Sequence, residues 1–391
     1  MPSQTSTGNE KNIAEELPTV TQQPIGEVGG SNWDVIVIGA GPSGGAAAAY
    51  LASHGIGVLL VDRTRFPREK VCGDALVPEA MKALQRIGLA EEVRTHSISL
   101  PGYTLVSPSG SSVNLNSEVT LLERRLLDSL ISGKAVANGA VFVQAQFQSA
   151  QTLPAGDVEC TLDSKTFRCR VLIFALGADL SSLRALGLSP KFNKPEGVAI
   201  RRYYRSTVGP DRPYFFLREE FLPGYAWIFP MGNNYYNVGC GRFLTRNKQF
   251  DTSLASAFDK FLQEDSVARE LVTHAEEPTP MRGASLRCGM PTTEYARRDR
   301  MLLVGEAIGT TIPGWGEGIS KAMETGLLAA EVTLSAFQKK DFTKLQDYPK
   351  RLKSEIKREI AKHTRVTYFF NRRWTANLLV ALAKRMPGKL F

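Results

Sequence analysis

Three glycines and one carboxylate carry the first chemical suggestion. Gly39-Ala-Gly41-Pro-Ser-Gly44 has the spacing G-x-G-x-x-G, and Asp62 stands twenty-three residues beyond the first glycine. That spacing suits a pyrophosphate. The first glycine permits a tight turn, Gly41 lets backbone approach the phosphates, and Gly44 lets a helix pack closely on the preceding strand. The N-terminus of that helix favours the anion, and Asp62 would accept hydrogen bonds from an adenosine ribose. The motif alone fits a flavin and a nicotinamide dinucleotide equally well.

Further candidates lie downstream. Cys72, in Lys70-Val-Cys-Gly73-Asp74, is either a small buried hydrophobe or a weak acid. Lys70 and Arg68 read as phosphate-facing or solvent-facing. Gly224-Tyr-Ala-Trp227-Ile-Phe-Pro230 alternates, so Tyr225, Trp227 and Phe229 fall on one strand face as an aromatic wall, whether of a core or of a ligand site. The four histidines, His54, His96, His274 and His363, lack metal-ligand spacing and read as structural or surface residues. No Ser/His/Asp arrangement has a supporting context.

These residues need particular elements to hold them. Asp34-Val-Ile-Val-Ile38 is a short, β-branched run that predicts a strand buried on both faces of a parallel sheet. An alanine-rich helix follows through Ala52, and Val58-Leu-Leu-Val61 completes a βαβ unit. Val171–Ala175 and Met301–Val304 are two more buried strands ending at glycine turns, which predicts one α/β domain assembled from distant segments. Between them the chain is richer in Tyr, Phe and Pro, with strand-like runs at Tyr214–Leu217 and Tyr235–Val238, and reads as an inserted, largely antiparallel sheet joined by a hairpin at Tyr103–Leu115. The expected division is a disordered leader over 1–30, a discontinuous Rossmann-like domain over 31–192 and 286–338, a substrate domain over 193–285 with 103–115, and a basic helical region over 339–391.

The charge balance narrows the partners. The 391 residues carry 48 Lys/Arg and 39 Asp/Glu, a net of +9. Asp341–Phe391 holds 13 Lys/Arg against 4 Asp/Glu, leaving 35 of each sign in the body. A body with no charge excess argues against nucleic acid, whose channel would show basic residues within the folded domain. Within the basic region, Trp374–Ala383 is apolar, too short to span a bilayer, and flanked by Arg372, Arg373, Lys384 and Arg385. That layout suits an anionic membrane surface, or a helix packed on the body. The five cysteines are widely spaced without Cys-x-x-Cys, which argues against a disulfide framework or zinc site. With no secretory signal pattern, the expected place is the cytoplasm, at the inner face of a membrane.

Four separated segments share one resemblance. Phe66–Leu76, Arg124-Arg-Leu-Leu-Asp128, Ala175–Arg184, and Gly305-Glu-Ala-Ile-Gly309 through Pro313-Gly-Trp-Gly-Glu-Gly-Ile319 resemble, in this order, the motifs of FAD-dependent oxidoreductases of the geranylgeranyl reductase family, within the para-hydroxybenzoate hydroxylase-like flavoprotein group. The resemblance runs from about Asp34 to the C-terminus. It implies an α/β fold with a Rossmann-like FAD-binding domain, an inserted antiparallel β substrate domain and a helical C-terminal region. It further implies FAD contacts at Gly39, Gly41, Gly44, Asp62, Arg63, Cys72, Gly73, Arg124, Gly177, Gly305 and Glu306. Pro313, Gly316, Gly318 and Ile319 would form a loop and helix start beside the flavin ring. Cys72 would face the active site, and Tyr225, Trp227 and Phe229 would line a lipid cavity. Two residues depart from the pattern: Glu306 stands where family members usually have Asp, and Leu176 replaces the carboxylate before Gly177. The second departure leaves the electron donor open among NADPH, ferredoxin and others.

The implied activity is hydride transfer from reduced flavin to carbon–carbon double bonds of an isoprenoid lipid. An aromatic monooxygenase or halogenase on the same fold is an alternative, as is a peripheral-membrane flavoprotein without turnover.

Overall fold

The computed structural model describes residues 20–179, 181, 195–244, 250–291, 293 and 296–385. The Ser182–Arg184 part of the third motif and most of the expected leader lie outside the described residues.

The β-branched runs form the centre of a nine-stranded sheet, where Val141–Gln144, Val58–Asp62, Asn32–Ile38, the end of Lys165–Phe174 and Met301–Leu303 lie side by side and parallel. All five residues of Val58–Asp62 are buried, as expected for a strand covered on both faces. The first helix, Pro42–Ser53, crosses the helix Ile319–Gln338 so closely that a Cβ on Gly326 would lie 2.0 Å from the Ser43 carbonyl oxygen. Its small residues permit that approach. One edge was not foreseen: Gln23–Pro24 pairs in parallel with Val143–Gln144, and Val20 is buried, so part of the segment expected as a disordered leader adds to the sheet.

The aromatic middle of the chain forms a seven-stranded sheet in which Arg282–Leu286, Gly197–Arg205, Tyr235–Phe243, Tyr225–Gly232, Tyr214–Phe216, Tyr103–Val106 and Ser112–Leu115 are neighbours in that order. The hairpin from residue 103 enters by parallel pairing with Tyr214–Phe216. Alternation then divides the two faces. Ala226 and Ile228 pack with Phe258 and Phe261 of the helix Leu254–Glu264, while Trp227 and Phe229 join the opposite cluster with Tyr103 and Leu105.

The basic C-terminal region is built into both parts. Leu345, Tyr348, Leu352, Ile356 and Ile360 belong to the core of the large sheet, and the Tyr348 hydroxyl donates to the Leu303 carbonyl at 2.8 Å. The last described helix, Arg373–Arg385, places Leu379, Val380 and Ala383 against the hairpin and the aromatic face. Most of the apolar stripe expected at a membrane surface is therefore covered by the protein itself. No helix among the described residues is long and apolar enough to cross a membrane.

Candidate active site

A cleft of about 580 Å3 opens between the two sheets. One end is made by the glycine turn. Gly39 has φ +103°, and a Cβ there would lie 2.2 Å from the Ala175 carbonyl oxygen. A Cβ on Gly44 would lie 1.9 Å from the Gly39 carbonyl oxygen, so this glycine serves strand–helix packing behind the cleft. Gly41 lines the cleft with space above it, its nearest neighbour being Arg68 Nη2 at 3.6 Å. The helix Pro42–Ser53 carries no side-chain cap and no acidic residue in its first turn. Its N–H groups are thus available to an anion, the arrangement a dinucleotide pyrophosphate requires.

Buried carboxylates organise the cations around this end. Asp62 accepts from the Ala40 N–H at 3.0 Å and the Thr64 N–H at 2.9 Å, and as an acceptor of several bonds it keeps capacity toward the cleft it lines. Arg63, also lining the cleft, reaches Asp179 at 2.7 Å. Arg124 grips the buried Asp128 through two parallel bonds of 2.9 and 2.8 Å. Burial opposes the Arg124 cation, but Asp128 more than offsets it and keeps the guanidinium charged. Arg68 lines the cleft beside Gly41, bridging Asp128 at 3.1 Å and Asp62 at 3.7 Å while lying over the Phe66 ring.

The middle of the cleft brings the later motifs together. Glu306, on the turn Gly305–Ile308, accepts from the Arg287 N–H at 3.1 Å, and a Cβ on Gly177 would sit 3.9 Å from its other oxygen. Burial pushes the Glu306 carboxyl upward, against the pull of Lys70 and Arg124. Gly305 has φ +68°, and a Cβ there would meet Ser43 Oγ at 2.5 Å, which seats this turn against the first helix. Gly316, Gly318 and Ile319 line the cleft. Gly44, Gly305 and Pro313 do not; Pro313 is buried, its carbonyl accepting from Thr367 Oγ1 at 2.8 Å.

The other end is aromatic. Tyr225, Trp227 and Phe229 share one face as the alternation predicts, with neighbouring ring centroids 5.9 and 6.0 Å apart. Phe215 completes the wall, 5.3 Å from Tyr225 and 5.0 Å from Phe229. Its position follows from strand pairing opposite Trp227, which sequence alternation could not supply. The Tyr225 hydroxyl donates to the Trp315 carbonyl at 2.5 Å, joining the wall to the glycine-rich loop. Gly73 is needed where it meets the wall: a Cβ there would be 3.2 Å from Phe229 Cε2.

Between the ends lie Cys72 and a residue the sequence reading passed over, Asp74. Asp74 is fully buried and accepts from the Tyr203 hydroxyl at 2.5 Å, Asn237 Nδ2 at 2.8 Å and the Arg124 N–H at 3.2 Å. Asn237 also donates to the Cys72 carbonyl at 2.9 Å and accepts from Trp227 Nε1 at 2.9 Å. Burial lifts the Asp74 carboxyl to about 6 despite these hydrogen bonds. Burial and then the Asp74 carboxylate raise the Cys72 thiol, while Arg124 and the Asp74 N–H work in the opposite direction. The Cys-Gly-Asp tripeptide was a visible signal for Asp74; its burial and its partners on two distant strands were not.

Comparison with known proteins follows the same outline. Residues 32–331 match the family described as FAD binding domain. The chain is 34% identical over 319 residues to the menaquinone reductase of Mycolicibacterium smegmatis, covering 77% of this chain and 76% of that protein. It is 28% identical over 353 residues to digeranylgeranylglycerophospholipid reductase 1 of Methanothermobacter thermautotrophicus, covering 85% of each. The crystal structure of a geranylgeranyl bacteriochlorophyll reductase-like protein from Thermoplasma acidophilum superposes with a TM-score of 0.77 at 23% identity, over 91% of this chain and 92% of that one. The uncapped helix, the open glycine turn and the arginines beside it suit the same cofactor, and the chain belongs to the FAD-binding family of oxidoreductases.

Proposed function

We propose that the protein is an FAD-dependent reductase that saturates carbon–carbon double bonds of an isoprenoid lipid. The observation that carries this reading is the placement of a continuous aromatic wall, Phe215, Tyr225, Trp227 and Phe229, at the end of the same cleft that begins with the glycine turn. An aromatic surface without charge suits a long apolar chain, which it can align by area and not by hydrogen bonds. The names of the relatives point the same way, since a menaquinone and a digeranylgeranyl phospholipid both contain prenyl chains. Reduced FAD, when bound, supplies the hydride. The protein's part is to keep the chain in register, exclude water and hold a proton near the second alkene carbon, for which Cys72 is placed on the cleft wall.

The test is anaerobic. Holoenzyme reduced with dithionite is mixed with geranylgeranyl lipids or menaquinone, and flavin reoxidation is expected with a product two mass units heavier per bond, the added hydrogens located on the prenyl chain by fragmentation and not on the quinone ring. Reoxidation only on admitting oxygen, with hydroxylation or halogenation of an aromatic acceptor, would instead establish the monooxygenase or halogenase alternative.

A lipid substrate also gives the basic C-terminus a use. Among the described residues, five of the six exposed large hydrophobic side chains, Val366, Tyr368, Phe369, Trp374 and Leu378, lie within thirteen positions of one another. Arg365, Arg372 and Arg373 stand among them. We place the contact with an anionic membrane at this crest, which adjoins the helix that backs the aromatic wall. Replacing Phe369 and Trp374 by serine should weaken sedimentation with anionic vesicles about tenfold or more, given roughly 1.5–3 kcal/mol per large apolar side chain. Unchanged binding would remove this surface from the account.

A further inference from the structure

Asp74 is a buried carboxylate that no guanidinium or ammonium group meets directly among the described residues. Its hydrogen bonds fall on both oxygens, the Arg124 N–H on Oδ1 and the Tyr203 hydroxyl with Asn237 Nδ2 on Oδ2, and all three donors are neutral. Its neighbours differ from those of Asp128, the other fully buried aspartate nearby: Asp128 faces two arginines, whereas Asp74 has no salt bridge among the described residues. What a carboxylate adds here is a charge that can be present or absent, two residues from the one cysteine that is not fully buried.

We propose that Asp74 governs the proton on Cys72, so that the pair acts as a single acid on the cleft wall. The geometry divides the labour. Asn237 Nδ2 donates both to the Asp74 carboxylate at 2.8 Å and to the Cys72 carbonyl at 2.9 Å, which fixes the two residues together on the cleft wall; there the Asp74 N–H and Arg124 favour a Cys72 thiolate, and the Asp74 carboxylate, when ionised, opposes one. Within the reductase reading, on which this catalytic use rests, the thiol S–H bond breaks as its proton goes to one alkene carbon and the hydride from reduced flavin goes to the other. The thiolate left behind is held by the two donors, and a proton from water returns to the pair. Every group facing Asp74 is accounted for: Tyr203 and Arg201 on the strand Gly197–Arg205, Asn237 on Tyr235–Phe243, Glu123 and Arg124 at the start of the helix Arg124–Ala137, and Cys72 itself. Arg201 lies over the Tyr203 ring and pairs with Glu69 at 2.7 Å, and its charge pulls the Asp74 carboxyl downward without a direct contact.

The experiment reads the sulfur directly and needs no substrate. Holoenzyme is treated with iodoacetamide from pH 6 to 10, and modification of Cys72 is located by peptide mass. In Asp74→Asn the reactivity curve should move to lower pH, giving an about tenfold faster rate at pH 8 for each pH unit of movement, while Asp74→Glu should restore the original curve. A curve that keeps its midpoint overturns the proposal. So does a uniform rise in rate at every pH, which would mean only that the loop has opened. If Asp74→Asn does not fold, Tyr203→Phe removes the hydroxyl that shields the ionised carboxylate and should move the Cys72 curve to higher pH by a smaller amount; no movement is again decisive against the idea. Failure of the reductase reading would show separately, as absent prenyl reduction with the alkylation shift intact.

Discussion

The two ends of the cleft are stabilised by opposite means. At the glycine turn, charges are buried in pairs: Asp128 is shared by Arg124 and Arg68, and Asp62 is held by two backbone N–H groups. At the aromatic end, rings supply the contacts, and the buried carboxylate that borders it, Asp74, is met by neutral donors. A polyanionic cofactor explains the first arrangement, because a fixed set of cations must stay charged at every working pH. The apolar substrate proposed above would account for the second. Here a permanent charge would cost binding, whereas one that can be neutralised is compatible with a dry chain.

Substitutions can test how separate these ends are. The largest effect is expected from Gly44→Ala, whose Cβ would stand 1.9 Å from the Gly39 carbonyl oxygen. The helix must move off the strand, and loss of more than about 4 kcal/mol together with the flavin absorbance is expected, read from calorimetry and the 450-nm band. Next comes Arg124→Met, which leaves Asp128 with Arg68 alone; breaking a buried pair costs about 3–5 kcal/mol. Retained stability in this variant would mean that the two arginines are redundant.

The aromatic end responds to pH instead. The Asp74 carboxyl is lifted from an ordinary 3.8 to about 6, so its contribution is fully present below pH 3.8 and lost as pH rises through about 6. Between these limits the wild type should lose about 3 kcal/mol relative to Asp74→Asn, seen as converging or crossing melting temperatures between pH 4 and 7.5. Parallel curves would sink this assignment. Trp227→Leu should raise the KM for a prenyl lipid about tenfold with flavin content unchanged, because it removes stacking area from one end only. The smallest change is Tyr225→Phe, which deletes one hydrogen bond worth about 1 kcal/mol and should slow turnover about fivefold.

The sequence made the backbone of the first end legible, because Gly39, Gly41, Gly44 and Asp62 are close together in the chain and their roles follow from local geometry. The wall was half legible. Alternation placed Tyr225, Trp227 and Phe229 on one face, but Phe215 joins them only through the register between two strands. Arg124 and Asp128 have helical i,i+4 spacing and could have been read as a pair, yet nothing local indicated that Arg68 would reach the same carboxylate. Asp74 was hidden for the same reason, since its partners sit 129 and 163 residues away. The C-terminal helix shows a different limit. An apolar stripe bordered by arginines has the same pattern whether it meets lipid or protein, and the hairpin from Tyr103 to Leu115 covers most of it.

The bond from the Tyr225 hydroxyl to the Trp315 carbonyl ties the insert to the loop that precedes the helix Ile319–Gln338. It works as a spacer of fixed length. A strand side chain and a main-chain atom of a distant loop meet here, alongside the Tyr203–Asp74 and Asn237–Cys72 bonds between the same two parts. In the proposed reaction, where transfer falls off steeply with distance, this strut is one of the contacts that set how closely the parts meet. A longer or shorter reach at position 225 would change how well the parts fit without removing any of them.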